Sequence, residues 1–139
     1  MVYPKVKDEV IVPSGTPDRT LFVSVDGTWQ QKGNAATLED CARGYWTVAN
    51  LSAAHADECD WLMARKRGKI VGVWKISRQK GWMAPSESPK KSWKADKPTD
   101  HPRLACELIS VGEQMEKRYV GKAVHLGRCP NSLRGYFSK

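Results

Sequence analysis

The strongest pattern of apolar and polar positions lies in residues 60–77, which predict a β-hairpin. Residues 61–64 (W-L-M-A) are continuously apolar, the pattern of a strand buried on both faces or of a short helix. Residues 65–68 (R-K-R-G) follow as a turn in which Gly68 is free to adopt a positive φ angle. Residues 69–76 then place β-forming side chains around Gly72, and a glycine within a strand marks a bulge, a bend or a close approach.

Weaker apolar runs predict the remaining strands of the chain. Residues 1–19 contain a short apolar stretch between prolines, which is typical of an N-terminal arm or an edge strand. We expect strands over five further segments: residues 20–25, 45–48, 103–111, 119–124 and 134–138. The last of these is placed to close the sheet.

Two short helices are predicted before the hairpin. Thr37 begins a sequence that resembles a capping box, so a helix starts at Leu38 and ends at Gly44. Ser52 is the expected N-cap of a second helix over residues 53–58. No crossover helix is long enough for a parallel α/β fold. These elements together predict an α+β fold, a small, mostly antiparallel and partly open β-barrel with two short helices.

The apolar periodicity disappears in residues 79–102, which are rich in lysine, proline and tryptophan. We expect a long basic surface loop, and loops longer than about 12–15 residues are usually functional or disordered. The whole chain, residues 1–139, is expected to form a single domain, because its length is close to that of an average domain.

The charge balance indicates an anionic partner. The chain has 23 lysines and arginines against 15 acidic residues, a net charge of +8. Residues 1–43 have 5 basic and 6 acidic side chains, so the excess lies in the remainder of the chain. Nucleic acid, a nucleotide or a membrane surface would suit this charge, although solvated surface lysines explain part of it.

The chain has 4 cysteines but no C-x-x-C motif. Its N-terminus shows no apolar leader, and no apolar run approaches the ~18 residues of a membrane span. We therefore expect a cytoplasmic protein with reduced thiols and no membrane partner.

Two His-x-x-x-Cys pairs, His55 with Cys59 and His125 with Cys129, have the ligand types of a tetrahedral zinc site. Pro130 prevents the second pair from lying on a continuing helix. Buried thiols are the preferred interpretation, and neither a metal nor a cofactor is predicted.

The hairpin resembles the PUA-like superfamily, which includes the ASCH, EVE and YTH domains. The matching residues are Asp60, the apolar strand after it, and G-K-I-V-G-V-W-K-I at residues 68–76. R-G-Y-W at residues 43–46 and R-C-P-N at residues 128–131 are similar to motifs of a group of small proteins. The resemblance implies a small β-barrel that binds RNA, modified bases in DNA, or nucleobase-like ligands. Residues 79–102 match no family pattern.

The long loop holds the first group of candidate binding residues: Trp82, Lys90, Lys91, Trp93 and Lys94. Lysines neutralise phosphates, and exposed aromatic rings stack on bases at ~1–3 kcal/mol each. In the alternative, the two tryptophans attach the loop to the barrel and the lysines are solvated.

A second group, Tyr45, Trp46 and Asn50, lies where the PUA-like resemblance implies a base-binding cleft. An asparagine amide can donate to and accept from a base edge at once. Neighbouring residues of a strand point to opposite faces, so one of the two aromatic residues is alternatively part of the core.

Two further groups have the chemistry of phosphate contacts: Arg128, Asn131 and Arg134 in the tail, and Arg65, Lys66 and Arg67 at the hairpin tip. A turn stabilised by Asn131 and a solvated hairpin tip are the structural alternatives.

No catalytic motif such as G-x-S-x-G or H-E-x-x-H is present, so no catalytic residue is assigned and an enzyme is not the favoured class. We expect RNA, DNA or a free nucleotide to bind in a basic, aromatic-lined cleft that reads a modified or flipped-out base. The first alternative is a protein–protein interaction module, such as a phage-type or defence-related inhibitor of an acidic partner. The second is a small RNA-directed hydrolase, since some ASCH-type proteins are thought to be catalytic.

Overall fold

A mixed five-stranded sheet built around the predicted hairpin forms the centre of the structure. This computed structural model describes residues 10–25, 38–43, 46–77, 81–83, 103–126 and 133–137. The strands are β1 (Val10–Ile11), β2 (Thr20–Ser24), β3 (Trp46–Thr47), β4 (Trp61–Lys66), β5 (Lys69–Ile76), β6 (Arg103–Leu104), β7 (Leu108–Ser110), β8 (His125–Leu126) and β9 (Leu133–Tyr136). The helices are α1 (Leu38–Arg43), α2 (Val48–Ala53) and α3 (Glu113–Tyr119), with a 3₁₀ turn at Ala56–Glu58.

The strand order of the main sheet is β7-β5-β4-β2-β9. Three of its four pairings are antiparallel, and β2 pairs with β4 in parallel. Within the described residues β7 and β9 each pair on one side only, so the sheet is open and the expected barrel is not confirmed. The tail forms a strand as predicted, but β9 extends the edge of the sheet instead of closing it. Two short pairs, β1-β8 and β3-β6, lie outside this sheet.

The predicted hairpin is confirmed as β4 and β5 joined by a two-residue turn. Arg67 and Gly68 have φ angles of 51° and 77°. Positive φ at both central residues defines a type I′ turn, whose twist matches that of the paired strands.

The predicted irregularity at Gly72 is a β-bulge. Ala64 pairs with Gly72, whereas Arg65 pairs with Ile70, so one residue of β5 has no opposite partner. The ring of Trp74 packs over Gly72, where a Cβ atom would collide with it. Glycine is therefore required here by a close approach within its own strand.

Both faces of the central strands are buried, which explains the continuous apolar run of β4. Leu62 and Ala64 pack on one side with residues of α1 and α2, which we call the α1–α2 face. Phe22 and Met63 pack on the other side with Tyr119 of α3, which we call the α3 face. Helices on both faces leave little room for polar side chains in β2 and β4.

The second predicted helix, over residues 53–58, is wrong: the helix found here ends at Ala53, and residues 56–58 form a 3₁₀ turn. Helix α2 begins at Val48, and its N-cap is Thr47, whose hydroxyl accepts a hydrogen bond from the Asn50 N–H at 3.3 Å. Ser52 lies inside this helix instead of capping it. Since Thr47 is extended (φ −66°, ψ 147°) and caps the helix, the predicted strand over 45–48 ends at Thr47, and its described part is β3. The first helix is confirmed as α1, while Thr37 lies outside the described residues.

The predicted strand over 103–111 divides into β6 and β7, which belong to different sheets. Between them the backbones of Ala105 and Met83 exchange two hydrogen bonds, and the Cys106 N–H donates to the Arg43 carbonyl at 2.9 Å. The predicted strand over 119–124 is also wrong, because Tyr119 ends α3 and Gly121 takes a φ of 89°.

Of the predicted long loop, the structure describes only residues 81–83. Within the described ranges, every helix is too short or too polar to cross a bilayer.

Candidate functional site

A group of cations gathers where the hairpin tip meets the end of α3. We call it the basic face, and it consists of Lys66, Arg67, Lys69, Lys117, Arg118 and Lys122. All are exposed except Lys66, which is half-buried. The first three come from the hairpin, and the others lie about 50 residues further along the chain.

Backbone hydrogen bonds join the two halves of the basic face. The Ile70 N–H donates to the Lys122 carbonyl at 2.9 Å, and the Val124 N–H donates to the Gly68 carbonyl at 2.9 Å. Ala123 is also paired with Lys69 across this junction. The cations of the tip and those after α3 are therefore held together by sheet-like pairing.

An open cleft of about 490 Å³ lies beside these cations. Its lining combines small and basic residues: Pro13, Ser14, Lys117, Arg118, Lys122 and Ala123. The opposite wall, residues 13–16, is a turn in which the Thr16 N–H and hydroxyl both donate to the Pro13 carbonyl, at 3.1 and 2.6 Å. The lining thus offers hydrogen-bond donors and positive charge to an anion.

Part of this charge has a structural explanation. Lys117 and Arg118 lie in the last turn of α3, where cations interact favourably with the helix dipole. Lys117 also pairs with Glu113 at 3.2 Å, but both side chains are largely exposed and such pairs contribute little. Neither explanation applies to Lys69 or Lys122, which lie outside the helix.

The predicted hairpin-tip group is divided by the structure. Lys66 and Arg67 belong to the basic face, whereas Arg65 is half-buried and pairs with Ile70, which is buried on the α3 face. The Arg65 Nε is buried and has no hydrogen-bond partner among the described residues. Arg65 is therefore only in part available to a ligand.

Two of the predicted aromatic residues lie on the opposite side of the sheet from α3 and the cleft beside it. Trp46 and Trp82 are half-buried and pack against the core of the α1–α2 face. Their indole N–H groups donate to the carbonyls of Ala42 and Ala56, at 3.0 and 3.3 Å. Asn50 is half-buried in α2 on the same side. Trp46 and Trp82 are thus separated from the cations beside the cleft, with which they were expected to bind nucleic acid.

The remaining predicted site residues are dispersed or not described. Arg134 is half-buried in β9 and pairs with Phe22. Seven others lie outside the described residues: Tyr45, Lys90, Lys91, Trp93, Lys94, Arg128 and Asn131.

The cysteines behave as the sequence predicts where they are described. Cys41, Cys59 and Cys106 are buried thiols, while Cys129 lies outside the described residues. Burial raises the pKa of the Cys106 thiol well above its ordinary value. The positive charge of the nearby Arg43 lowers this pKa, but by less than burial raises it. Within the described part of the chain, His, Cys, Asp and Glu form no group of three that would hold a metal ion.

Sequence reasoning missed Lys69 in the hairpin, and it missed Lys117, Arg118 and Lys122 at the end of α3. The sequence does show a local cluster of cations at residues 117–122. Such clusters are common at solvated helix ends, so this one alone does not indicate a binding site. Their proximity to the hairpin depends on the pairing of Ile70 with Lys122, which nothing local encodes.

No family model, curated protein or solved structure matches this chain. The resemblance to the PUA-like superfamily therefore rests on the motif residues of the hairpin and its neighbours.

Proposed function

We propose that this chain binds nucleic acid by contacting phosphates with its basic face. The observation that supports this most is the backbone pairing that joins the hairpin-tip cations to those after α3. Clustered cations neutralise neighbouring phosphates and release counterions, so binding is favoured at low salt and weakens steeply as salt increases.

The chemistry of the side chains assigns them different roles. The guanidinium of Arg118 is planar and can hold two phosphate oxygens at once, whereas the lysine ammonium groups act as mobile point charges. Phosphate contacts carry no direct sequence information, so we expect little preference among sequences.

A base-reading cleft of the kind that the PUA-like resemblance implies is not part of this proposal. Its candidate residues Trp46 and Asn50 lie on the α1–α2 side, and the indole N–H of Trp46 is already bonded to Ala42. Stacking by Trp82 is set aside for the same reason, since its ring packs on the core.

The test compares two double variants that remove the same charge from different places. Arg118→Gln/Lys122→Gln removes two cations of the basic face. Arg19→Gln/Lys75→Gln removes two exposed cations near the other end of the hairpin, where Lys75 lies six strand residues from Lys69, about 20 Å at ~3.3 Å per residue. Binding to labelled single-stranded DNA, single-stranded RNA and duplex DNA is followed by fluorescence anisotropy at several salt concentrations.

We expect the basic-face variant to bind every polymer more weakly and to lower the slope of log K against log salt by about 2, about one per lost phosphate contact. The control should change this slope by much less. Equal losses in the two variants would show a general effect of net charge and would contradict the assignment to the basic face.

A further inference from the structure

Gly15 is the point where the turn at residues 13–16 approaches the end of α3. A Cβ atom at this position would lie 2.6 Å from Nη2 of Arg118 and 3.4 Å from its Cζ. The guanidinium therefore lies against the bare backbone of Gly15. Any side chain here would push the end of Arg118 aside, because the arginine is more easily moved than the turn.

The position of the turn is itself determined by Tyr119. The Tyr119 side chain is buried, and its hydroxyl donates a hydrogen bond to the Gly15 carbonyl at 2.6 Å. The Arg118 Cζ also lies 5.6 Å from the centre of the Tyr119 ring. The guanidinium thus has Gly15 and an aromatic ring as neighbours, while the residue remains exposed to solvent. A side chain with its position restricted in advance loses less entropy when it binds a ligand.

The cleft next to Arg118 has the chemistry of a phosphate site. Besides the guanidinium it presents the hydroxyl of Ser14 and the ammonium groups of Lys117 and Lys122, and no carboxylate is among its described lining residues. These groups donate hydrogen bonds or carry positive charge, as a tetrahedral phosphate requires.

We propose that this cleft binds a single phosphate group, with Arg118 as its principal contact and Gly15 as the residue that positions Arg118. The proposal rests on the proposed function, since the phosphate is that of a bound nucleic acid. A free nucleotide carries the same group, and the experiment separates the two sources.

The test substitutes Gly15→Ala and uses Gly81→Ala as its matched control. Both glycines have positive φ, 84° and 60°, so alanine strains the backbone at each. A Cβ atom at Gly81 meets nothing within 4 Å, so the control adds backbone strain without displacing a side chain. Affinity for a single-stranded oligonucleotide is measured at low salt for each variant, for Arg118→Gln, and for Gly15→Ala/Arg118→Gln.

We expect Gly15→Ala to weaken binding by about the same factor as Arg118→Gln, on the order of fivefold to tenfold. The double variant should bind no more weakly than Arg118→Gln, because the two changes remove one contact. Gly81→Ala should stay within about twofold of wild type. The inference is overturned if Gly15→Ala behaves like Gly81→Ala, or if the two losses multiply in the double variant.

Arg118→Lys tests the same site if Gly15→Ala does not fold. It keeps the charge and loses the planar fork, so we expect an affinity between those of wild type and Arg118→Gln. Wild-type affinity in Arg118→Lys would show that the position of the guanidinium is unimportant.

Competition identifies the group that occupies the cleft. Inorganic phosphate should displace the oligonucleotide from wild type more effectively than sodium chloride of the same ionic strength, and this advantage should disappear in Arg118→Gln. Competition by a mononucleotide but not by phosphate would show that a base is required and would overturn the inference. Absence of wild-type binding would overturn the proposed function as well, whereas binding that is insensitive to Gly15→Ala would leave that function intact.

Discussion

Arg43, the last residue of α1, is fully buried beside Cys106, and its carbonyl accepts the Cys106 N–H. A charge in such a position needs partners, because its transfer from water is costly. Burial also favours the neutral form of the neighbouring thiol and raises the pKa of Cys106. Cys106 thus stays protonated at neutral pH and is a poor nucleophile.

This burial predicts how the stability of the fold depends on pH. Above pH 9, near the ordinary thiol pKa, Cys106 ionises in the unfolded chain but not in the folded protein. The free energy of unfolding therefore falls as pH rises above that value. Cys106→Ala lacks this contribution. Between pH 8 and pH 10 the free energy of unfolding of wild type should therefore fall by about 1.4 kcal/mol more than that of the variant. Urea denaturation at the two pH values measures it, and an unchanged difference would contradict the burial of the thiol.

Single residues were predictable from the sequence where the backbone alone determines their role. Gly68 and Gly72 were identified because a tight turn and an irregular strand require glycine. The division between Arg65 and Arg67 was not predictable, because it depends on the register of the bulge. Lys122 was missed because a long-range pairing, not its neighbours in sequence, brings it to the hairpin.

The start of α2 shows how one hydrogen bond determines the boundary of an element. Thr47 and Ser52 both have side chains that can cap a helix, but only Thr47 is extended and bonded to the Asn50 N–H. Thr47→Ala should therefore destabilise the fold by about 1 kcal/mol, whereas the exposed Ser52→Ala should have almost no effect. Thermal or urea unfolding of the two variants measures the difference. Equal destabilisation by both would show that Ser52 also supports the helix.

Elements that depend on local pattern were predicted more reliably than those that depend on distant pairing. The hairpin, β2 and α1 follow from alternation, turn residues and a helix stop. The parallel pairing of β2 with β4 joins segments separated by two helices, and no local feature specifies it. The division of residues 103–111 has the same cause, since Met83 and Arg43 each form backbone hydrogen bonds with this segment.

At the scale of the whole molecule, the sheet divides the candidate groups into two sides. The candidate tryptophans Trp46 and Trp82 pack on the α1–α2 face, and the cleft with its cations lies at the end of α3. The net charge of +8 predicted an anionic partner but not the side on which it binds. Stacking and charge were expected to act together, and the fold places these two tryptophans apart from the cleft.

The most direct test of the account is a titration of isotopically labelled protein with a short oligonucleotide, followed by two-dimensional ¹H–¹⁵N NMR at low and high salt. We expect the largest amide shift changes at residues 14–16, 66–69 and 117–123, and we expect them to diminish at high salt. Changes confined to the surroundings of Trp46, Asn50 and Trp82 would contradict the basic face as the binding site and favour a base-reading cleft. A spectrum unchanged at every oligonucleotide concentration would contradict nucleic-acid binding itself.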